Sequence, residues 1–248
     1  MKLATLSTAA ICLVATSSAS AQTILIDFGR HNGVDGNATV SPDVNGNTWN
    51  NLSQNGDFEI AAGFTASDLV DTAGNGTSVD VTTLDIFRSN GTLNGGLLAP
   101  DPTLLGDFAI PTATQDYWFV ESNIDNGVMV FSDLDPTLTY QLRLFGTRAT
   151  DTVRQTNYIV TDANGASTQL LQTSGAGIGN NGVYNGNDDT IITFGSITPD
   201  ANNSFSLELD IASGGFAYVG IAELSVVPEP ASLGLLGVAG LALVRRRR

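Results

Sequence analysis

The sequence predicts an all-β protein, an antiparallel β-sandwich of jelly-roll type, and three observations carry that prediction. Short runs alternate apolar and polar residues with a period of two, which turns one face of each run toward a core. Asn-Gly and related turn dipeptides separate the runs. Helix formers are scarce between the turns, while Gly, Asn, Asp and Thr abound.

In chain order, residues 24–28 (Ile-Leu-Ile-Asp-Phe) open the series as a strand. Asn45-Gly46 marks a turn, and residues 66–71 are the one stretch expected to form a short helix. Residues 78–87 read as a strand after Asn75-Gly76. Residues 90–116, rich in Gly and Pro, read as a long loop. Asp125-Asn126-Gly127 precedes a strand at 128–131. Tyr140, Leu142 and Leu144 alternate with Gln141 and Arg143 in the next. Residues 158–161 and 167–171 flank Asn164-Gly165 and predict a hairpin within longer strands. A second Gly/Asn-rich loop covers 173–189, followed by a strand at 190–194. Phe205, Leu207, Leu209 and Ile211 alternate with Ser206, Glu208 and Asp210, and residues 216–226 close the sheet system. Nine to eleven strands at this spacing suit a sandwich, and no internal repeat is visible.

The two ends follow different rules. Met1-Lys2, an apolar run over 3–15 and Ala19-Ser20-Ala21 before Gln22 make a secretory signal peptide over residues 1–21. Ile11 before Cys12 is not the small residue a lipidation site wants. At the other end Pro228-Glu229-Pro230 is followed by an apolar stretch over 231–244 and then Arg245-Arg246-Arg247-Arg248. As a helix the apolar stretch is about 21 Å long, short of the ~30 Å hydrocarbon core. It makes a short transmembrane helix and a marginal anchor, with the arginines held on the cytoplasmic side. The prolines keep the junction extended, as a protease cleft requires.

This triplet over residues 227–248 resembles the PEP-CTERM sorting signal, also known as the ice-binding protein C-terminal domain. The resemblance implies Sec-dependent export and transient anchoring by the C-terminal helix. It also implies processing by an exosortase-type membrane protease, with a final place at the cell surface or outside a Gram-negative bacterium. Exopolysaccharide is the partner such a setting implies.

Residues 22–226 remain as one sandwich domain, long enough to bury about 70% of its unfolded surface. That body has no cysteine, so packing and sheet hydrogen bonds must hold it. Its 24 acidic residues face five arginines (Arg30, Arg88, Arg143, Arg148 and Arg154) and no lysine, a net charge of −19. So acidic a surface repels nucleic acid and anionic headgroups.

The residues at 24–29, Thr48-Trp49-Asn50-Asn51, Leu134-Asp135-Pro136, those at 140–148, and those at 217–224 resemble bacterial galactose-binding-like or malectin-like jelly-roll domains. That resemblance implies a carbohydrate-binding role and supplies no catalytic residue.

Catalytic chemistry finds little support. No Gly-x-Ser-x-Gly elbow is present, and the lone histidine, His31, reads as a solvated loop residue. One His without Cys disfavours zinc. The carboxylates in Asp57/Glu59, Asp188/Asp189 and Glu208/Asp210 do not single out an acid and base pair. A non-enzymatic protein without a cofactor is therefore expected. Asp43, Asn45, Asp188 and Asp189 are candidate calcium ligands, being hard oxygen donors in turn-rich loops. Trp49, Asn50, Tyr117, Trp118 and Arg148 are candidate glycan contacts, because sugars want aromatic platforms with polar partners. Plugging a sandwich core is the reading that each Trp favours over a sugar platform. The alternatives are a secreted hydrolase with an unrecognised site and a structural matrix or adhesion protein without a small ligand.

Overall fold

The computed structural model describes residues 22–122 and 126–228. The signal peptide expected at 1–21, and Glu229, Pro230, the C-terminal transmembrane helix and Arg245 to Arg248, lie outside those residues. Among the described residues no helix is long and apolar enough to cross a membrane.

The chain is mostly β. In chain order it forms β1 (Thr23–Phe28), β2 (Trp49–Leu52), β3 (Glu59–Ile60), β4 (Thr65–Ala66), β5 (Asp80–Thr83), β6 (Phe87–Asn90) and β7 (Tyr117–Glu121). β8 (Gly127–Ser132), β9 (Tyr140–Phe145), β10 (Arg154–Asp162) and β11 (Gly165–Ser174) follow. β12 (Ile192–Ile197), β13 (Phe205–Ser213), β14 (Phe216–Val219) and β15 (Ile221–Val226) complete the set. The strands sort into a five-stranded sheet ordered β12-β9-β15-β1-β2, a six-stranded sheet ordered β11-β10-β13-β8-β5-β4, and a four-stranded sheet ordered β14-β7-β6-β3. All pairings are antiparallel except β1 with β2.

One large core lies between the five-stranded sheet and the other two. Ile24, Ile26, Phe28, Leu142, Leu144, Ala222 and Leu224 meet Met129, Phe131, Tyr158, Val160, Leu207, Leu209 and Trp118 there. Alternation does the sorting: Phe205, Leu207 and Leu209 point inward while Ser206, Glu208 and Asp210 stay half-exposed. Phe131 and Phe205, paired across β8 and β13, stack at 4.7 Å. The predicted hairpin closes on Asp162 and Gly165, with Tyr158 opposite Gln169.

β1 breaks the one-face rule, because Ile24 to Phe28 are all buried. Its second face is covered by the 92–114 connection. Leu97, Leu105, Phe108, Ile110 and Ala113 pack there on Leu25, Trp49, Phe145 and Ile221. The stretch expected to be a long loop thus contains two single-turn helices, α1 (Pro102–Leu105) and α2 (Pro111–Thr114). Each starts with proline at a first-turn position, where the missing N–H costs nothing. Asp101 caps α1 by accepting from Thr103 N at 2.8 Å.

Two other local expectations are corrected. Residues 66–71 form no helix. Asp68 takes φ 53°, Asp68 N bonds Asp80 Oδ1, and Val70 bridges Gly76, so local turns replace it. The expected strand at 78–87 is two strands, β5 and β6, in different sheets. The break comes at Leu84 and Asp85, whose N–H groups both reach Val128 O. The two ends of the body meet: Thr23 pairs with Ser225 and Val226 N bonds Gln22 O at 2.9 Å.

Candidate functional site

The four-stranded sheet has one face in the core and one face on a cleft. Along β7, Trp118 and Val120 point inward while Tyr117, Phe119 and Glu121 point outward; along β14, Ala217 and Val219 point inward and Phe216 and Tyr218 outward. Register then places Phe119 between Tyr218 and Arg88. Tyr117 and Tyr218 meet edge to face at 5.2 Å, and Phe119 lies 5.9 Å from Tyr218. The result is a buried aromatic floor.

Cations roof that floor. Arg148, just after β9, donates to the Tyr117 hydroxyl, and Arg154, opening β10, donates to the Tyr218 hydroxyl. The Arg154 guanidinium also lies 4.2 Å from the Phe216 ring. On the other wall Phe58 is flanked by Arg88 at 5.0 Å and Arg30 at 5.7 Å. The cleft has a volume of about 240 Å³. Its one carboxylate, Glu121, lies 2.8 Å from Arg88. Among the described residues Arg148 and Arg154 have no carboxylate within ion-pair distance. Burial pushes the Tyr117 and Tyr218 phenols up, against the opposing pull of the arginines. The phenols therefore stay neutral and leave the guanidinium charge uncancelled. Two larger hollows, of about 400 Å³ beside Val44 and Asp107 and about 340 Å³ beside Leu170 and Asp189, have neither aromatic nor cationic lining.

A second arrangement lies at the end of β1, under the covered face. Asp27 and Asp116 are both fully buried, and the His31 side chain is 7% exposed. His31 Nε2 stands 3.4 Å from Asp27 Oδ2 and 3.8 Å from Asp116 Oδ2. Thr39 donates to Asp27 Oδ2 at 2.8 Å, and Arg30 N donates to Asp116 Oδ2 at 3.0 Å. Asp27 Oδ1, Asp116 Oδ1 and His31 Nε2 have no hydrogen-bond partner. Burial, and behind it the charge of Asp27, pushes the Asp116 carboxyl well above the usual carboxylate range. His31 is thus not the solvated loop residue the sequence suggested. The sequence did hold a signal: Asp27 interrupts an otherwise apolar strand, and Asp116 directly precedes Tyr-Trp-Phe-Val.

The candidate glycan residues part company. Tyr117 and Arg148 come together in the cleft. Trp118 instead fills the core against Phe28 at 5.0 Å and Phe87 at 5.7 Å, its indole donating to Gly29 O. Trp49 is 4% exposed and its indole donates to Asp43 Oδ2. The Asn50 side chain spends its amide on Leu25 O, Val70 O and Val70 N. Neither tryptophan lines the cleft, and each has its ring packed and its one donor used. Arg88, Arg154 and the pair Phe216 and Tyr218 meet at the cleft from three separate strands, which no local pattern in the sequence links.

The candidate calcium ligands hold turns. Asp43 accepts from Asn45 N and Asn47 N, Asp188 from Asn180 N, and Asp189 from the Thr190 hydroxyl. Among the described residues none of these carboxylates joins a cluster of three potential metal ligands, whereas Asp27, His31 and Asp116 do.

A family model described as the PEP-CTERM protein-sorting motif matches residues 226–248. The chain ends in a PEP-CTERM sorting motif. Pro228, two positions after the end of β15, is the last described residue. The PEP-CTERM motif implies an exported protein processed by an exosortase and associated with the membrane or cell surface through its C-terminus. No curated protein matches the sequence. Among solved structures, the chain is similar to the enzymatically active domain of bacteriophage CBA120 tailspike protein 4, at 10% identity and TM-score 0.31 over 60% of this chain. It spans 19% of that tailspike chain's length. It is similar to TmCBM61 in complex with β-1,4-galactotriose, at 10% identity and TM-score 0.30, covering 58% of this chain and 88% of that one. It is also similar to the K1 cleaved adhesin domain of Lys-gingipain from Porphyromonas gingivalis W83, at 11% identity and TM-score 0.32, covering 60% and 91%.

Proposed function

We propose that the body is a non-enzymatic, surface-associated module that binds an acidic polysaccharide of the envelope or exopolysaccharide of a Gram-negative bacterium. Export through the Sec machinery and anchoring by the C-terminal helix belong to the same proposal. One observation carries it. The body's net charge of −19 repels a polyanion at long range, but that field is screened within about a Debye length and the cleft is locally basic: four of the five arginines stand in or beside one aromatic cleft, and two have no carboxylate partner among the described residues. Guanidinium groups present paired donors that match a uronic carboxylate, and the low dielectric of an aromatic floor strengthens that contact. A neutral glycan would accept charge-assisted hydrogen bonds through its hydroxyls but would lack the opposite charge and the bidentate match of a carboxylate.

The test is retention on immobilised polygalacturonate, with dextran as the neutral control. The wild-type protein is expected to be held on polygalacturonate only and released by salt. Arg148→Ala with Arg154→Ala is expected to weaken retention at least tenfold, because a hydrogen bond to a charged group contributes about 1.5–3 kcal/mol. Equal retention on both supports, or unchanged retention of a folded double variant, would overturn the reading. Cleavage of either polysaccharide would favour a hydrolase instead.

A further inference from the structure

We propose that Asp27, His31 and Asp116 form a structural site for one first-row divalent cation, of the Zn²⁺ or Mn²⁺ kind.

Three features of the geometry support this. The unpartnered atoms come from three different segments: the end of β1, the loop after it, and the residue before β7. One ligand atom from each of the three lies within 4.8 Å of the others, which suits binding around a single ion. A fully buried carboxylate oxygen with no donor is costly, and here two such oxygens share one pocket with a ring nitrogen. A cation held by one atom from each of these three side chains offsets part of that cost.

The surroundings hold the ligands in place. Each carboxylate gives one oxygen to a structural donor, Thr39 for Asp27 and Arg30 N for Asp116, and leaves the other free. That is how outer groups orient metal ligands. The Thr39 hydroxyl also donates to Thr112 Oγ1 at 3.0 Å, tying in the connection above. Glycines keep the space open. A Cβ on Gly29 would lie 2.2 Å from Asp116 Oδ2 and 2.3 Å from His31 Nε2, and one on Gly36 would lie 2.0 Å from Asp116 Oδ2. His31 itself takes φ 48°, in the left-handed region, which turns its ring back toward β1.

The donor set selects the ion. Imidazole nitrogen with two carboxylates suits Zn²⁺ or Mn²⁺ better than Ca²⁺, which prefers six to eight oxygens. Three protein ligands leave a fourth position for water. The carboxylates are fully buried and the histidine nearly so, which suits a structural ion pinning together the end of β1, the loop after it and the start of β7. A body without cysteine has use for such a pin.

The experiment treats the purified protein with chelator, passes it through gel filtration, and returns Zn²⁺, Mn²⁺ or Ca²⁺ singly. Metal content by mass spectrometry and the melting temperature are read for each. One equivalent of Zn²⁺ or Mn²⁺ retained through a second gel filtration, with a raised melting temperature, is the expected result. His31→Ala should abolish both, whereas Asp188→Asn with Asp189→Asn should change neither, which separates the site from loose binding by surface acids. If His31→Ala does not fold, uptake by the wild-type protein still decides the matter. Wild-type protein that takes up no Zn²⁺ or Mn²⁺ and melts identically with and without them would overturn the proposal. So would retention of Ca²⁺ alone.

Discussion

At the scale of single residues, close approach explains more than propensity does. A Cβ on Gly96 would lie 1.6 Å from the backbone oxygen of Gln115, and backbone cannot swing aside as a side chain can. Gly96→Ala is therefore expected to destabilise the protein by at least about 2 kcal/mol in urea denaturation. Gly195, in β12, has nothing within 4 Å of the same position. Gly195→Ala is expected to stay within about 1 kcal/mol of wild type. Sequence could not separate these two glycines, since each has an apolar neighbour, Leu97 beside one and Phe194 beside the other, and the clash of Gly96 comes from Gln115, far along the chain. Nor could it join Asp27 to Asp116, because their meeting depends on how β1 and β7 are brought side by side. The cleft was half visible: Tyr117 and Arg148 have the expected chemistry, but Arg154 and Tyr218 gain theirs only from register. Trp118 shows the reverse: a candidate for sugar stacking by its polar neighbours, it is turned inward by the alternation of β7 and plugs the core.

At the scale of elements, period-two alternation was legible wherever one face of a strand is buried and the other wet, as in β9 and β13. It failed where a strand changes sheets. Nothing local in residues 78–87 says that β5 and β6 part company, because both halves alternate and the break at Leu84 is decided by the partner strand β8. The 92–114 connection was misread for another reason. Its Gly and Pro content suggests a loop, yet its apolar side chains are spaced to cap the outer face of β1. Phe108 is fully buried there, with the Arg143 guanidinium 5.0 Å from its ring. Phe108→Ala is expected to cost about 3–5 kcal/mol, as for a core phenylalanine, although it sits in a connection. Chemical denaturation with matched far-ultraviolet and fluorescence readouts checks this.

At the scale of the whole molecule, burial raises all five tyrosines above their ordinary range. Tyr158 is the extreme case, fully enclosed and donating to Tyr218 O. The folded chain then keeps phenolic protons that the unfolded chain gives up near pH 10. Below about pH 10 both states are protonated and nothing is lost. As pH rises through 10 the unfolded state binds fewer protons, so stability must fall. Melting temperature is expected to drop steeply between about pH 9 and pH 11, with phenolate absorbance appearing together with unfolding rather than before it. Phenolate absorbance that rises smoothly in still-folded protein would contradict this.

The pairing of Thr23 with Ser225 sets an order of events. In the proposed export through the Sec machinery, the first strand of the body to cross finds its antiparallel neighbour only when the last one has crossed. Until then β1 and β9 each lack the strand between them, and the five-stranded sheet stays split. Completion of the fold is thus timed to the arrival of the tail, and the segment that waits for the peptidase follows directly on the strand that closes the sheet. Both ends of the body then leave from one pole.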